Sequence, residues 1–227
     1  MNFQAFKEKY EKVPVEHYPH NVDSTPVVSV CVQTYSHETY IKECLEGILK
    51  QETDFPFEIL LGEDASTDGT REICIEYAKK YPDKIRLFLH HRENNIQIGG
   101  QPSGRFNFLY NLYSARGKYI ALCEGDDCWT DPLKLQRQVE FMEENEEFSG
   151  CFTNYRIVNK KREVLLKIAR SNSHPNYYDR LSMLREGVPQ TCSVVYRNLP
   201  DVFSKVSKVQ NVVNGDQVLA AFMAQIR

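Results

Sequence analysis

The chain has 227 residues, a net charge of −3, 41% hydrophobic and 26% charged residues. These are the proportions of a globular protein with one good-sized core, and the acidic balance argues against nucleic acid as the main partner. No apolar run approaches the ~20 residues of a membrane span, the N-terminus lacks a signal-peptide core, and the seven scattered cysteines read as reduced, buried thiols of a cytoplasmic protein.

Residues 1–25 read as a polar, aromatic lead-in, with a short amphipathic helix between Met1 and Lys12 and prolines at 14, 19 and 26 that break any longer element. The β-branched run Val27–Val32 is a buried strand. Ser36 is a candidate N-cap for a helix whose apolar face is Ile41, Leu45, Ile48 and Leu49. Phe57–Leu61 is a second strand; a polar turn follows, then a helix through Ile73, Tyr77 and Ala78 that ends before Pro82. Lys84–Leu89 is a third strand. The long polar stretch from His90 to Gly104 leads to a helix through Phe108, Leu109 and Leu112, with Gly117 as its C-terminal cap. Lys118–Cys123 is a fourth strand. It stops at Glu124-Gly125-Asp126-Asp127, after which Asp131 and Pro132 are placed to open a helix.

Strand alternating with helix four times predicts an α/β fold with a mostly parallel sheet covered on both faces. The second half is less regular. Phe148–Val158 and Glu163–Ile168 read as an antiparallel pair, Tyr178–Arg185 as a short helix, Cys192–Arg197 as a strand and Gly215–Ile226 as a helix.

Ligands gather at the carboxyl ends of strands in such sheets. The adjacent carboxylates Asp126 and Asp127 sit there, and their mutual repulsion favours a cation; a solvated acidic turn is the plainer alternative. Asp64 follows the second strand in the same way. The loop Asp64–Thr70 imitates the opening of an EF-hand, but its twelfth position is Ile75, which excludes the bidentate glutamate. Gly99, Gly104 and Arg105 imitate a P-loop without its lysine or hydroxyl, and the first strand lacks a G-x-G-x-x-G turn. Arg105 either pairs with phosphate or is an ordinary solvated arginine. Trp129 either stacks on a sugar or base or plugs the following helix, and Asp216, after Gly215 at the start of a helix, reads by itself as a cap. Lys79-Lys80, Lys160-Lys161-Arg162 and the run Glu143–Glu147 read as solvated faces, with a secondary case for contact with anionic lipid headgroups.

Taken in order, Val28–Ser36, Glu63–Thr70, Glu124–Asp127, Cys192–Arg197 and Gly215-Asp216 resemble the family 2 glycosyltransferases of GT-A fold, over residues 26 to 225. The resemblance implies a GT-A-type, Rossmann-like sheet with a smaller antiparallel acceptor-side part, and inverting transfer from a nucleoside-diphosphate sugar (a UDP-sugar first) to a glycan or lipid-linked acceptor. Bacterial surface polysaccharide synthesis is the implied setting. Gln33, Thr34, Tyr35 and Asp64 would then line the nucleoside pocket with Arg105 nearby, Asp126 would sit near ribose and metal, Asp127 would bind Mn2+ or Mg2+, and Asp216 would be the catalytic base. Departures are Ser36 for the commoner Asn, Glu63 for the first Asp, and the longer stretch from His90 to Gly104, which with residues 171–176 is a candidate lid. Rival readings are a non-catalytic nucleotide- or glycan-binding module and a sugar-nucleotidyltransferase. The chain stops eleven residues past Asp216, so the expectation is a piece of a longer protein whose remainder makes acceptor or peripheral membrane contacts.

Overall fold

The structure is a computed structural model, and it describes residues 1–159, 161, 163–168, 189–209 and 215–225. The expected helix at 178–185, the candidate lid at 171–176, Lys160 and Arg162 lie outside the described residues. Strands β1 (Glu16–His17), β2 (Val28–Thr34), β3 (Phe57–Glu63), β4 (Ile85–Leu89), β7 (Tyr119–Leu122), β8 (Gly150–Phe152) and β11 (Val194–Arg197) build one seven-stranded sheet in the order β1-β4-β3-β2-β7-β11-β8. β4, β3, β2 and β7 are mutually parallel, whereas β11 runs antiparallel to β7 and to β8. Two small antiparallel pairs lie apart from it: β5 (Gln97–Ile98) with β6 (Gln101–Pro102), and β9 (Tyr155–Val158) with β10 (Val164–Ile168).

Alternation along the strands divides the core in two. Val28, Val30, Val32, Ile59 and Leu61 face one layer with α2 (Ile41–Leu49), α3 (Thr70–Lys80) and α5 (Lys134–Glu144). Cys31, Leu60, Ile120 and Leu122 face the other, with α1 (Phe3–Tyr10), α4 (Arg105–Ser114), α6 (Pro200–Val206) and α7 (Gly215–Met223). The N-terminal segment is packed into this second layer. Phe6 of α1 is wholly buried and stacks on Phe106 of α4 at 5.2 Å, and β1 pairs with β4 as the sheet's edge. No helix among the described residues is long and apolar enough to cross a membrane.

Several local expectations are corrected. Ser36 caps no helix: it takes a left-handed φ of 54° and its N–H donates to Ser66 Oγ, and α2 begins only at Ile41. α5 begins at Lys134; Asp131 instead accepts from the Leu133 N–H, closing a turn that precedes the helix. Gly117 does not cap α4, whose C-cap is Ala115; it lies against β2, where a Cβ would come within 2.6 Å of Ser29 N. The run 148–158 breaks between β8 and β9, because β8 pairs with β11 while β9 leaves the sheet to pair with β10. Of residues 192–197, the first two belong to a 3-10 turn, and the strand begins at Val194.

Candidate functional site

β2 is followed outward by β3 and β4, and the chain then returns to β7 on β2's other side. The crevice between the carboxyl ends of β2 and β7 is therefore the switch point at which ligands sit in open α/β sheets. The turn Glu124–Asp127 occupies it. Gly125 N donates to Gln33 O at 2.9 Å, and Asp127 N to Glu124 O at 2.9 Å. A Cβ on residue 125 would lie 2.6 Å from Thr34 Oγ1 and 2.7 Å from His37 Nδ1, so only glycine lets the turn seat this closely on those side chains.

Glu124, Asp126 and Asp127 each offer an oxygen, and these atoms lie within 4.8 Å of one another. Burial, then the charges of Asp216, Asp126 and Asp127, push the Glu124 carboxyl up to about 7. Burial and Asp126 push Asp127 up to about 6, against a hydrogen bond with Cys192. His37 Nε2 stands 4.0 Å from Asp126 Oδ2, too far for a hydrogen bond. Three crowded carboxylates are under-compensated negative charge, and an all-oxygen set of this kind fits a hard divalent cation such as Mg2+ or Mn2+.

The opposite wall arrives from late in the chain. Because β11 is antiparallel to β7, its leading residues lie at the same end of the sheet as the acidic turn. Trp129 Nε1 donates to Cys192 O at 2.8 Å, and Thr191 Oγ1 donates to Asp216 Oδ2 at 2.8 Å. Asp216 lies in the first turn of α7, and its charge reaches both Glu124 and Tyr196. Asp216, distant in sequence, is thus brought to the end of the sheet where the acidic turn lies, near Glu124.

Asp64 marks the cleft's other end. Its N–H donates to Thr34 O, while its Oδ2 accepts from Arg92 at 2.6 Å and from Asn95 at 3.0 Å. Asp64 Oδ1 and both amide atoms of Gln33 are buried with no hydrogen-bond partner among the described residues. Burial raises the Asp64 carboxyl to about 6 despite Asn95 and Arg92. The Arg92 guanidinium also covers the ring of Tyr35 at 4.0 Å, and that ring is exposed. The first part of the stretch from His90 to Gly104 is pinned here: Asn94 Oδ1 accepts from the N–H groups of Lys12 and Val13. Its exposed tip is Gly99-Gly100, both with positive φ.

Arg105 does not join this set. It is 4% exposed, and its guanidinium donates to Val206 O at 3.0 Å, tying α4 to α6. Trp129 is buried as a plug under α5, with Lys134 Nζ 4.2 Å above its ring. Asp68 closes the turn that leads into α3, its Oδ1 accepting from Thr70 N and Oγ1. Sequence reasoning assigned no role to Glu124, His37, Arg92 or Asn95. Glu124 had a local signal, being the acid next to the pair already singled out; the others are identified only by the folded contacts.

A family model described as glycosyl transferase family 2 matches residues 29–195. An uncharacterized protein of Mycobacterium tuberculosis, Rv1520, is 39% identical over 178 residues, covering 76% of this chain and 47% of that protein. The putative teichuronic acid biosynthesis glycosyltransferase TuaG of Bacillus subtilis is 29% identical over 156 residues, covering 69% and 57%. The chain spans about half the length of the curated relatives it matches. Among solved structures, residues 1–349 of S. aureus TarS align with a TM-score of 0.61 at 21% identity, over 87% of this chain and 54% of that one. That likeness shows the fold.

Proposed function

The chain belongs to glycosyltransferase family 2 and has the GT-A fold, and from that premise we propose that it transfers a sugar, with inversion at the anomeric carbon, from a nucleoside-diphosphate sugar to an acceptor hydroxyl. One observation supports the reading: the charge of Asp216 reaches Glu124 of the β7 turn, while Cys192 bonds Asp127 and the neighbouring Thr191 bonds Asp216. Displacement with inversion needs the leaving group and the attacking hydroxyl on opposite sides of the sugar, so their partners must come from different walls.

In this reading Asp127 and Asp126, with Glu124 beside them, hold Mn2+ or Mg2+. A divalent ion supplies Lewis-acid stabilisation to the departing diphosphate. Asp216 takes the proton of the acceptor hydroxyl; Thr191 holds one of its oxygens and leaves the other for that proton. Gln33, Thr34 and Tyr35 line the nucleoside end, and the unpartnered Asp64 Oδ1 is an acceptor for a base N–H, as the imide of uracil would provide. TarS is described in complex with UDP and with UDP-GlcNAc, so a UDP-sugar is the donor class to test first. The name of TuaG supports surface polysaccharide synthesis as the setting, with a glycan or lipid-linked acceptor on the cytoplasmic side.

The test is nucleotide-sugar binding and donor turnover, each with and without Mn2+. Asp127→Asn is expected to abolish the Mn2+-dependent part of donor binding. Asp216→Asn is expected to leave binding nearly intact while turnover falls by about 10²–10⁴. Loss of binding and turnover together in Asp216→Asn would assign that residue to structure. Metal-dependent binding without any turnover by the wild type would favour a non-catalytic binding module.

A further inference from the structure

The β9–β10 hairpin has no place in the chemistry above, and its composition is unlike the rest of the surface. We propose that it is a membrane-docking element that seats the protein on an anionic lipid surface. Among the described residues the hairpin pairs only with itself, outside the seven-stranded sheet. An isolated two-stranded ribbon is marginal in water and ordinarily needs a hydrophobic face packed on something. Here the aliphatic side chains remain in solvent: Ile157 is 43% exposed, Val158 39%, Val164 52% and Leu165 65%. They are four of the six large hydrophobic side chains exposed among the described residues, the others being Tyr35 and Phe141. The register explains Leu165. Val164 pairs with Val158 and Leu166 with Ile157, so Leu165 is the extra residue of a bulge and has no partner across the ribbon.

Charge decides the occupant. In a chain of net charge −3, the sequence from 155 to 168 holds five basic residues against one acidic residue, and those whose side chains the structure describes are Arg156 and Lys161. Arg156 and Lys161 are exposed, and Glu163 accepts from Asn159 Nδ2 at 2.6 Å. A second copy of the hairpin would bring like charge against like. A soluble polyanion would satisfy the cations but leave Leu165 and Val164 in water. A bilayer rich in anionic lipid offers both halves at once, negative headgroups at the surface and an apolar layer just beneath them. The inference does not depend on which sugar or acceptor the cleft uses.

Co-sedimentation of the full chain with vesicles tests it. The protein is expected to pellet with phosphatidylcholine vesicles containing phosphatidylserine, to stay in solution with phosphatidylcholine alone, and to be released by high salt. The double variant Arg156→Gln, Lys161→Gln is expected to weaken partitioning on the order of tenfold. Val164→Ser with Leu165→Ser, at unchanged charge, is expected to weaken it as well. All four side chains are exposed, so these variants fold, which unchanged circular dichroism and melting temperature would verify. Equal pelleting with both vesicle types, no pelleting, or indifference to either double variant would overturn the proposal. So would loss of binding in the charge variant alone, which would mark a polyanion site, or a concentration-dependent dimer abolished by Leu165→Ser.

Discussion

Glu124 and Asp127 are held partly protonated near neutral pH because burial and neighbouring carboxylates oppose their charge. A folded-state pKa raised above the unfolded value means that the native state keeps a proton the unfolded state has already lost. Stability from these groups is therefore complete at low pH and declines as pH rises from about 4 through about 7. His90 works the other way. Burial lowers its imidazole to about 3, so its contribution is present above its ordinary value of 6.5 and is lost as pH falls towards the folded value. The informative measurement is thus the difference between wild type and Glu124→Gln in melting temperature across pH 5 to 8, without metal. The wild type is expected to lose more stability than the variant as pH rises, and added Mn2+ to restore it most at the alkaline end, where protons no longer compete. At this scale much of the site's layout was legible. Asp64, Asp126, Asp127 and Asp216 each sit at the edge of an element that local pattern identifies, so topology alone carries them to one end of the sheet. Arg105 was illegible because its fate is decided by the carbonyl of Val206, a helix end remote in sequence. Arg92 and Asn95 were hidden in a polar stretch that carries no periodicity.

Among the elements, the strands that buried both faces were read nearly to their ends, since a run of β-branched residues is its own signal. Element starts were less legible. Ser36 and Asp131 are good caps by residue type, yet each is engaged in a turn set by another segment or by its own carboxylate. Glycine likewise has two meanings that sequence does not separate. Gly117 and Gly125 are required by close approach to β2 and its following residues, whereas at Gly104 no atom would meet an added Cβ within 4 Å. Gly125→Ala is accordingly expected to cost about 1–3 kcal/mol and to weaken Mn2+-dependent nucleotide binding by lifting the acidic turn off Thr34 and His37. Gly104→Ala should change stability by no more than about 0.5 kcal/mol. Urea titrations read at constant slope would check both.

At the scale of the whole molecule, the alternation of strand and helix announced the parallel sheet, but nothing local announced what its edges would gain. The N-terminal lead-in supplies an edge strand, β1, and an aromatic face centred on Phe6. Phe6→Ala is expected to destabilise the protein by about 3–5 kcal/mol while the affinity for nucleotide, measured below the unfolding transition, is unchanged. At the far edge, the insertion of β11 against β7 sets an order of construction. As the chain leaves the ribosome, strands β1 to β4 and β7 with its acidic turn are all made before the segment that carries Thr191, and Asp216 comes later still. The carboxylates of the acidic turn are therefore made well before the residues that come to stand near them, Thr191 and Asp216. The groups proposed to hold the leaving diphosphate and the group proposed to take the proton are thus separated in the order of synthesis as well as in the fold.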